Sequence, residues 1–158
     1  MLAKVLDSVL WSRGSHVDTA TILDNLDWQL AGQQPAGSPY SIWQLANHLI
    51  FWQDFSLALL RGESPQMPEH AEGSWPGGPA PAGEREWAQA VARFKAGLAE
   101  ARRQAEADLE SDTAARPGRT KAETLASLAD HDSYHAGQVV MLRRMLGSWP
   151  PPTGGDTW

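Results

Sequence analysis

His131 and His135 stand four residues apart in the run TKAETLASLADHDSYHAGQ (residues 120–138), and His48 lies far upstream in SIWQLANHLIFW (residues 41–52). Residues at i and i+4 of a helix share one face, with Cβ atoms roughly 6 Å apart. Two imidazoles so placed can share one cation and still leave coordination positions open. A third imidazole from a facing helix completes three protein ligands, the number that leaves a transition-metal site accessible to water or substrate. A single histidine such as His48 on an apolar stripe is ordinarily a core residue with satisfied ring nitrogens, so the pair carries the argument. Both rings of the pair fall on the inward face beside Leu128 and Leu142. Burying them without a cation or carboxylate is costly, because each leaves a donor and an acceptor to satisfy. Only neutral imidazole binds a metal, so affinity is expected to fall as pH drops through roughly 6.

Other chemical readings are weaker. Asp130, His131, Asp132 and Ser133 hold the residue types of a hydrolase triad, but neighbours one and two apart on a helix do not face one another. The HExxH zincin pattern is absent, since Asp132 follows His131 and is expected to point away from the pair. Gly77–Gly78 lacks the Lys-Ser/Thr ending of a phosphate loop and reads as a turn. His16 is expected to face solvent or cap a helix, with a reach into the pocket as the alternative. Trp43 and Trp52, which flank His48 on one helical pattern, are candidate pocket walls. Asp54, Glu63 and Asp132 all stay open as a general base.

The elements that position these residues read as helices. Leu2, Val5, Leu6, Val9 and Leu10 form one stripe, and Ile22, Leu23, Leu26 and Leu30 resume it after Gly14–Ser15; whether the helix is continuous there stays open. A second helix opens at Ser41 with Gln44 in capping-box spacing and stops at Gly62. Residues 62–83 are rich in proline and glycine and too long for a routine connection. Trp75 and His70 within them predict an ordered loop lying against the domain. A third helix carries Trp87, Val91, Phe94, Leu98, Ala101, Ala105 and Leu109 inward. Ser111–Gly118 is a polar break. Thr120 and Glu123 then open the last helix, which ends near Gly147 and Pro150. No useful stretch alternates with period two. Four amphipathic helical units imply an all-α four-helix bundle over residues 1–158, with the long connection between the second and third helices.

Composition sets the surroundings. The 158 residues contain no cysteine, so disulfides, thiolate metal sites and cysteine nucleophiles are excluded, and imidazole and oxygen must hold any metal. A formal net charge of −6 argues against a nucleic-acid surface. No stretch reaches the ~20 apolar residues of a membrane span. Asp7 among the first apolar residues, with no small-residue cleavage site, argues against a signal peptide, so a cytoplasmic location is expected.

HDSYHAGQVVMLRRMLG (residues 131–147) is similar to the final-helix signature of the DinB-like (DNA-damage-inducible) superfamily. SIWQLANHL (residues 41–49) resembles its second-helix signature, and PPPTGGDTW (residues 150–158) the tail common in one branch. The resemblance covers nearly the whole chain and implies a four-helix bundle that holds a divalent ion, often nickel or zinc, on His48, His131 and His135, with water completing the shell. It also implies metal-dependent chemistry, either thiol S-transfer or hydrolysis. S-transferases and isomerases of that family use low-molecular-weight thiols such as bacillithiol, mycothiol or glutathione. A chain without cysteine fits a borrowed nucleophile. The competing expectation is a non-catalytic metal-binding stress-response protein. The family's bundles commonly pair, and the apolar residues of the third helix and the long loop point to a homodimer.

Overall fold

The computed structural model describes residues 2–11, 15–152 and 154–155. Gly14, and with it the continuity of the first helix, lies outside them, as do Thr153 and residues 156–158 of the tail. Among the described residues the chain is an all-α bundle of α1 (Leu2–Trp11), one-turn α2 (Trp28–Ala31), α3 (Ile42–Leu60), α4 (Glu84–Ala105) and α5 (Lys121–Met145), with a small hairpin of β1 (Asp112–Thr113) and β2 (Arg116–Thr120).

Both capping boxes form. Ser41 Oγ accepts from the Gln44 N–H at 3.2 Å while Gln44 Oε1 accepts from the Ser41 N–H at 3.0 Å, which starts α3. Thr120 and Glu123 do the same at the start of α5, at 3.2 and 2.8 Å. Gly62 and Gly147, with φ of +83° and +68°, take the left-handed conformation just past the two helix ends. The stretch from Ile22 to Leu30 departs from the helical expectation. Asp18 and Asp27 each accept from a backbone N–H two residues on, capping a 3₁₀ turn (Thr19–Thr21) and α2 in place of a continuous helix. Ile22, Leu23 and Leu26 still point inward, and all three are buried. The hairpin departs from the all-helical expectation; β1, at two residues, is too short to carry a period-two pattern.

Round the bundle, α3 packs between α4 and α5, and α1 packs against α5 and α4 on the opposite side. The long connection therefore joins two neighbouring helices, while the diagonal steps are α1 to α3 and α4 to α5. Unlike the amphipathic expectation, α3 is buried on most sides, from Ile42 and Trp43 round to Leu59 and Leu60. Its contact with α4 is close at Gly97, where a side chain would overlap the buried Gln53 carboxamide. The apolar core forms two clusters. One takes Leu45, Leu49, Ala136 and Val139; the other takes Leu57, Leu60, Leu125 and Leu128. Polar residues of α3 and α5 lie where the two meet. No helix among the described residues is long and apolar enough to cross a membrane.

Candidate metal centre

The bundle brings His48 of α3 against His131 and His135 of α5. One ring nitrogen from each lies within 4.8 Å of the others, so the cluster can hold a metal ion. His48 Nε2 is 3.2 Å from His131 Nε2, and the His131 and His135 rings are 4.5 Å apart between centroids. His48 and His135 are buried, each 7 % exposed, while His131 is half-buried and opens the cluster to one side.

The outer nitrogens show which lone pairs face the centre. Ser74 Oγ donates to the Ala71 carbonyl at 2.7 Å, so towards His48 Nδ1, 3.0 Å away, it is an acceptor. The Ser74 carbonyl, 3.4 Å from the same nitrogen, can only accept. The His48 proton is therefore on Nδ1 and the Nε2 lone pair points at the other two rings. His135 Nδ1 donates to Gln138 Oε1 at 2.6 Å, which frees its Nε2 in the same way. This is the outer-nitrogen anchoring that metal-binding imidazoles use to fix tautomer and orientation.

His131 differs, and it tests whether a cation fits. Its Nδ1 is buried without a hydrogen-bond partner, and so are both carboxylate oxygens of Asp132. The two groups face each other, His131 Nδ1 lying 3.9 Å from Asp132 Oδ1. With His48 Nε2 an acceptor, a proton on His131 Nε2 makes the 3.2 Å contact but leaves a bare Nδ1 opposite a carboxylate. A cation at the three Nε2 atoms reverses this: His131 carries its proton on Nδ1, aimed at Asp132. The tautomer that a metal requires is the one that turns an N–H towards the orphaned carboxylate 3.9 Å away, so the residues fit the ion. Asp132, expected to point away from the pair, instead lies buried behind His131, facing its outer nitrogen.

Burial, reinforced by the neighbouring His135 and His131, lowers the His48 pKa to about 4; the Ser74 carbonyl opposes it. Burial lowers His135 as well, against the Gln138 hydrogen bond. The His48 ring therefore stays neutral below the pH near 6 expected from an ordinary imidazole, and the His135 shift has the same direction. Burial raises the Asp132 carboxyl above its ordinary value, opposed by His131.

Aromatic rings enclose the cluster. Trp75 stacks on His48 at 3.9 Å and on Tyr40 at 3.9 Å, so the long loop is ordered and lies across the site, as its tryptophan predicted. The loop is anchored where the Ser41 hydroxyl donates to the Pro79 carbonyl. Trp52 stands 6.4 Å from both His48 and His131, a wall as expected. Trp43 is instead core, packed edge-on to Trp87. Exposed Tyr134 sits beside His135 at 5.0 Å. Next to it an apolar cavity of about 480 Å³ is lined by Tyr40, Tyr134, Gln138, Met141 and Met145.

The remaining candidates lie elsewhere. Asp54 pairs with Arg93, and Glu63 with Arg61 at 2.6 Å, so neither faces the histidines. His70 is exposed beside Glu69. His16 neither faces solvent nor reaches the cluster: its Nε2 meets Ser133 Oγ at 2.8 Å on another face of α5. Sequence reasoning missed Ser74, Trp75 as a stacking partner, and Gln138. Only Gln138 carried a local signal, lying one turn after His135.

No curated protein and no solved structure matches the chain. A family model described as the DinB superfamily matches residues 14–139, which include all three histidines. The chain belongs to the DinB superfamily.

Proposed function

We propose that this chain is a metal-dependent enzyme that holds one divalent transition ion, nickel or zinc, on His48, His131 and His135 and activates a low-molecular-weight thiol for transfer to an electrophile. The observation that carries this is the direction of the imidazoles: two outer nitrogens are tied to Ser74 and Gln138, and the inner lone pairs converge from one half-open side. A structural ion is ordinarily closed by four protein ligands. Here Asp132 stands behind a histidine and not among the ligand atoms, which leaves positions for a ligand.

A divalent ion at such a site supplies Lewis acidity that favours a bound sulfur as thiolate at neutral pH. The chain's own residues do the rest. Ser74 and Gln138 hold the tautomers, Asp132 is placed to take the His131 Nδ1 proton as a hydrogen bond, and Trp52 and Trp75 exclude water from two sides. The apolar cavity beside Tyr134 suits the electrophile. A cytoplasmic location accords with a reduced thiol pool. We also propose a homodimer, although the third-helix side chains Trp87, Phe94 and Leu98 are spent on the chain's own core. Among the described residues the exposed large apolar side chains include Leu2 and Val5 on α1, Met67 in the long loop, and Tyr134, Met141 and Met145 on α5. Sedimentation at micromolar concentration reads this directly.

Cobalt-loaded protein tests the thiol reading. Adding bacillithiol, mycothiol or glutathione is expected to produce a sulfur-to-metal charge-transfer band that the His48→Ala variant lacks. If none of these thiols changes the spectrum and chelation instead unfolds the protein, the ion is structural and the non-catalytic metal-binding stress-response protein is the better account.

A further inference from the structure

Further along α3 and α5 from the histidines lies a cavity of about 110 Å³ whose lining includes Trp52, Ser56, Thr124, Ser127, Arg116 and Arg119. The two arginines come from β2. Residues three apart on a regular strand point to opposite faces. Here Gly118 has a φ of +82° and the pairing with β1 is irregular, which breaks the alternation and turns both guanidinium groups to one cavity.

Neither arginine makes an ion pair among the described residues. Arg116 lies over the Phe55 ring at 5.4 Å. Arg119 Nε is buried with no hydrogen-bond partner, and its Nη2 reaches only the Glu123 carbonyl, at 3.5 Å. The Glu123 carboxylate bonds to the Thr120 cap and acts on Arg119 only electrostatically, without a hydrogen bond to it. No carboxylate lines the cavity. Two partly buried guanidinium groups, one with an orphaned N–H, thus face one small space without a carboxylate in its lining, an arrangement that suits an anion from outside.

The cavity is aligned with the metal centre. Thr124, Ser127 and His131 fall at i, i+3 and i+7 on one stripe of α5, and His48, Trp52 and Ser56 fall at successive i+4 steps on α3. At 1.5 Å per residue the cavity lies about 6–10 Å along α5 from His131. Trp52 is common to both, lining the cavity and standing beside His48 and His131.

We propose that Arg116 and Arg119 form an oxyanion subsite that anchors the ligand of the histidine centre by a carboxylate or phosphate a few bonds from its metal-directed end. The proposal rests on the reading of that centre as a ligand-binding site, and it narrows the thiol to an acidic one. The cavity holds a carboxylate or a phosphate but not a sugar or a nucleotide base.

The test has two parts, both on the full chain. Succinate and inorganic phosphate are titrated calorimetrically into wild type and into His131→Ala/His135→Ala, which removes binding through the ion. Saturable millimolar binding is expected in both, weakened roughly 10- to 100-fold in Arg119→Ala and in Arg116→Ala, with Arg119→Lys recovering part of it. Unchanged helix content by circular dichroism shows that the variants fold. No saturable binding, or equal binding in the arginine variants, overturns the subsite. In the second part, cobalt-loaded protein is titrated with 3-mercaptopropionate and its uncharged amide. A preference of about tenfold or more for the acid, lost in Arg119→Ala, supports the subsite. Equal response to both thiols overturns it and leaves the thiol reading standing. Anion binding through the arginines with no response to either thiol supports the subsite and removes the thiol reading.

Discussion

Arg143 and the His131–Asp132 pair are both buried polar groups on α5, and they are treated oppositely. Arg143, 1 % exposed, directs its guanidinium at carbonyls: Nη1 to Ile22 at 2.8 Å, and Nε and Nη2 to Ser148 at 3.2 and 2.9 Å, with the Trp149 ring alongside. It ties the end of α5 to the segment after the 3₁₀ turn. Among the described residues His131 Nδ1 and both oxygens of Asp132 make no hydrogen bond, and Nδ1 only faces Oδ1 at 3.9 Å. A satisfied buried network rigidifies a fold, whereas an unsatisfied one costs stability unless something completes it. The difference separates a residue kept for structure from a pair waiting on a ligand.

Replacing each group should therefore give opposite patterns. Arg143→Met keeps most of the volume but strips the Ile22 and Ser148 carbonyls of their donor. Chemical denaturation is expected to show a loss of about 3 kcal/mol, with metal affinity per folded molecule unchanged. A loss below about 1 kcal/mol would mean that the arginine is not the tie described. Asp132→Asn should do the reverse. Removing a desolvated carboxylate leaves the metal-free protein as stable or more so, while metal affinity falls about tenfold as the partner of His131 Nδ1 weakens. Lower apo stability with full affinity would make Asp132 a structural residue like Arg143.

The smallest effect is on pH dependence. His48 has a folded-state pKa of about 4, below the ordinary 6.5 of an exposed histidine. Above pH 6.5 the ring is neutral in both states and contributes no slope. Between about 6.5 and 4 the unfolded chain takes up a proton that the folded chain refuses, so stability falls as pH falls. Metal-free protein compared at pH 7 and pH 4.5 should lose stability over that window, and His48→Gln should lose less. An equal slope in the variant would assign the dependence to other groups.

What was legible in the chain follows from how local each feature is. Capping boxes, the ends of α3 and α5 and the i, i+4 pair depend on a few neighbouring residues, and they formed where the spacing placed them, whereas α4 stops at Ala105, short of the expected Leu109. The segment from Ile22 to Leu30 shows the limit: its apolar spacing is helical, yet Asp18 and Asp27 cap short turns there. The inward direction of those residues survived the change of backbone. The partners of the histidines were less legible. Ser74 and Trp75 reach His48 from 26 and 27 positions away, through a loop whose path depends on packing against Gly32 and Ser41. The arginine pair was hidden too, because it depends on one glycine breaking the alternation of a short strand.

The central claim is that the three imidazoles hold one ion. Equilibrium dialysis against nickel and zinc, with wild type and His131→Ala/His135→Ala in parallel, tests it most directly. The account predicts about one ion per chain in wild type and an affinity loss of more than about 100-fold in the variant, with helix content retained. Equal stoichiometry and affinity in the two proteins would contradict it.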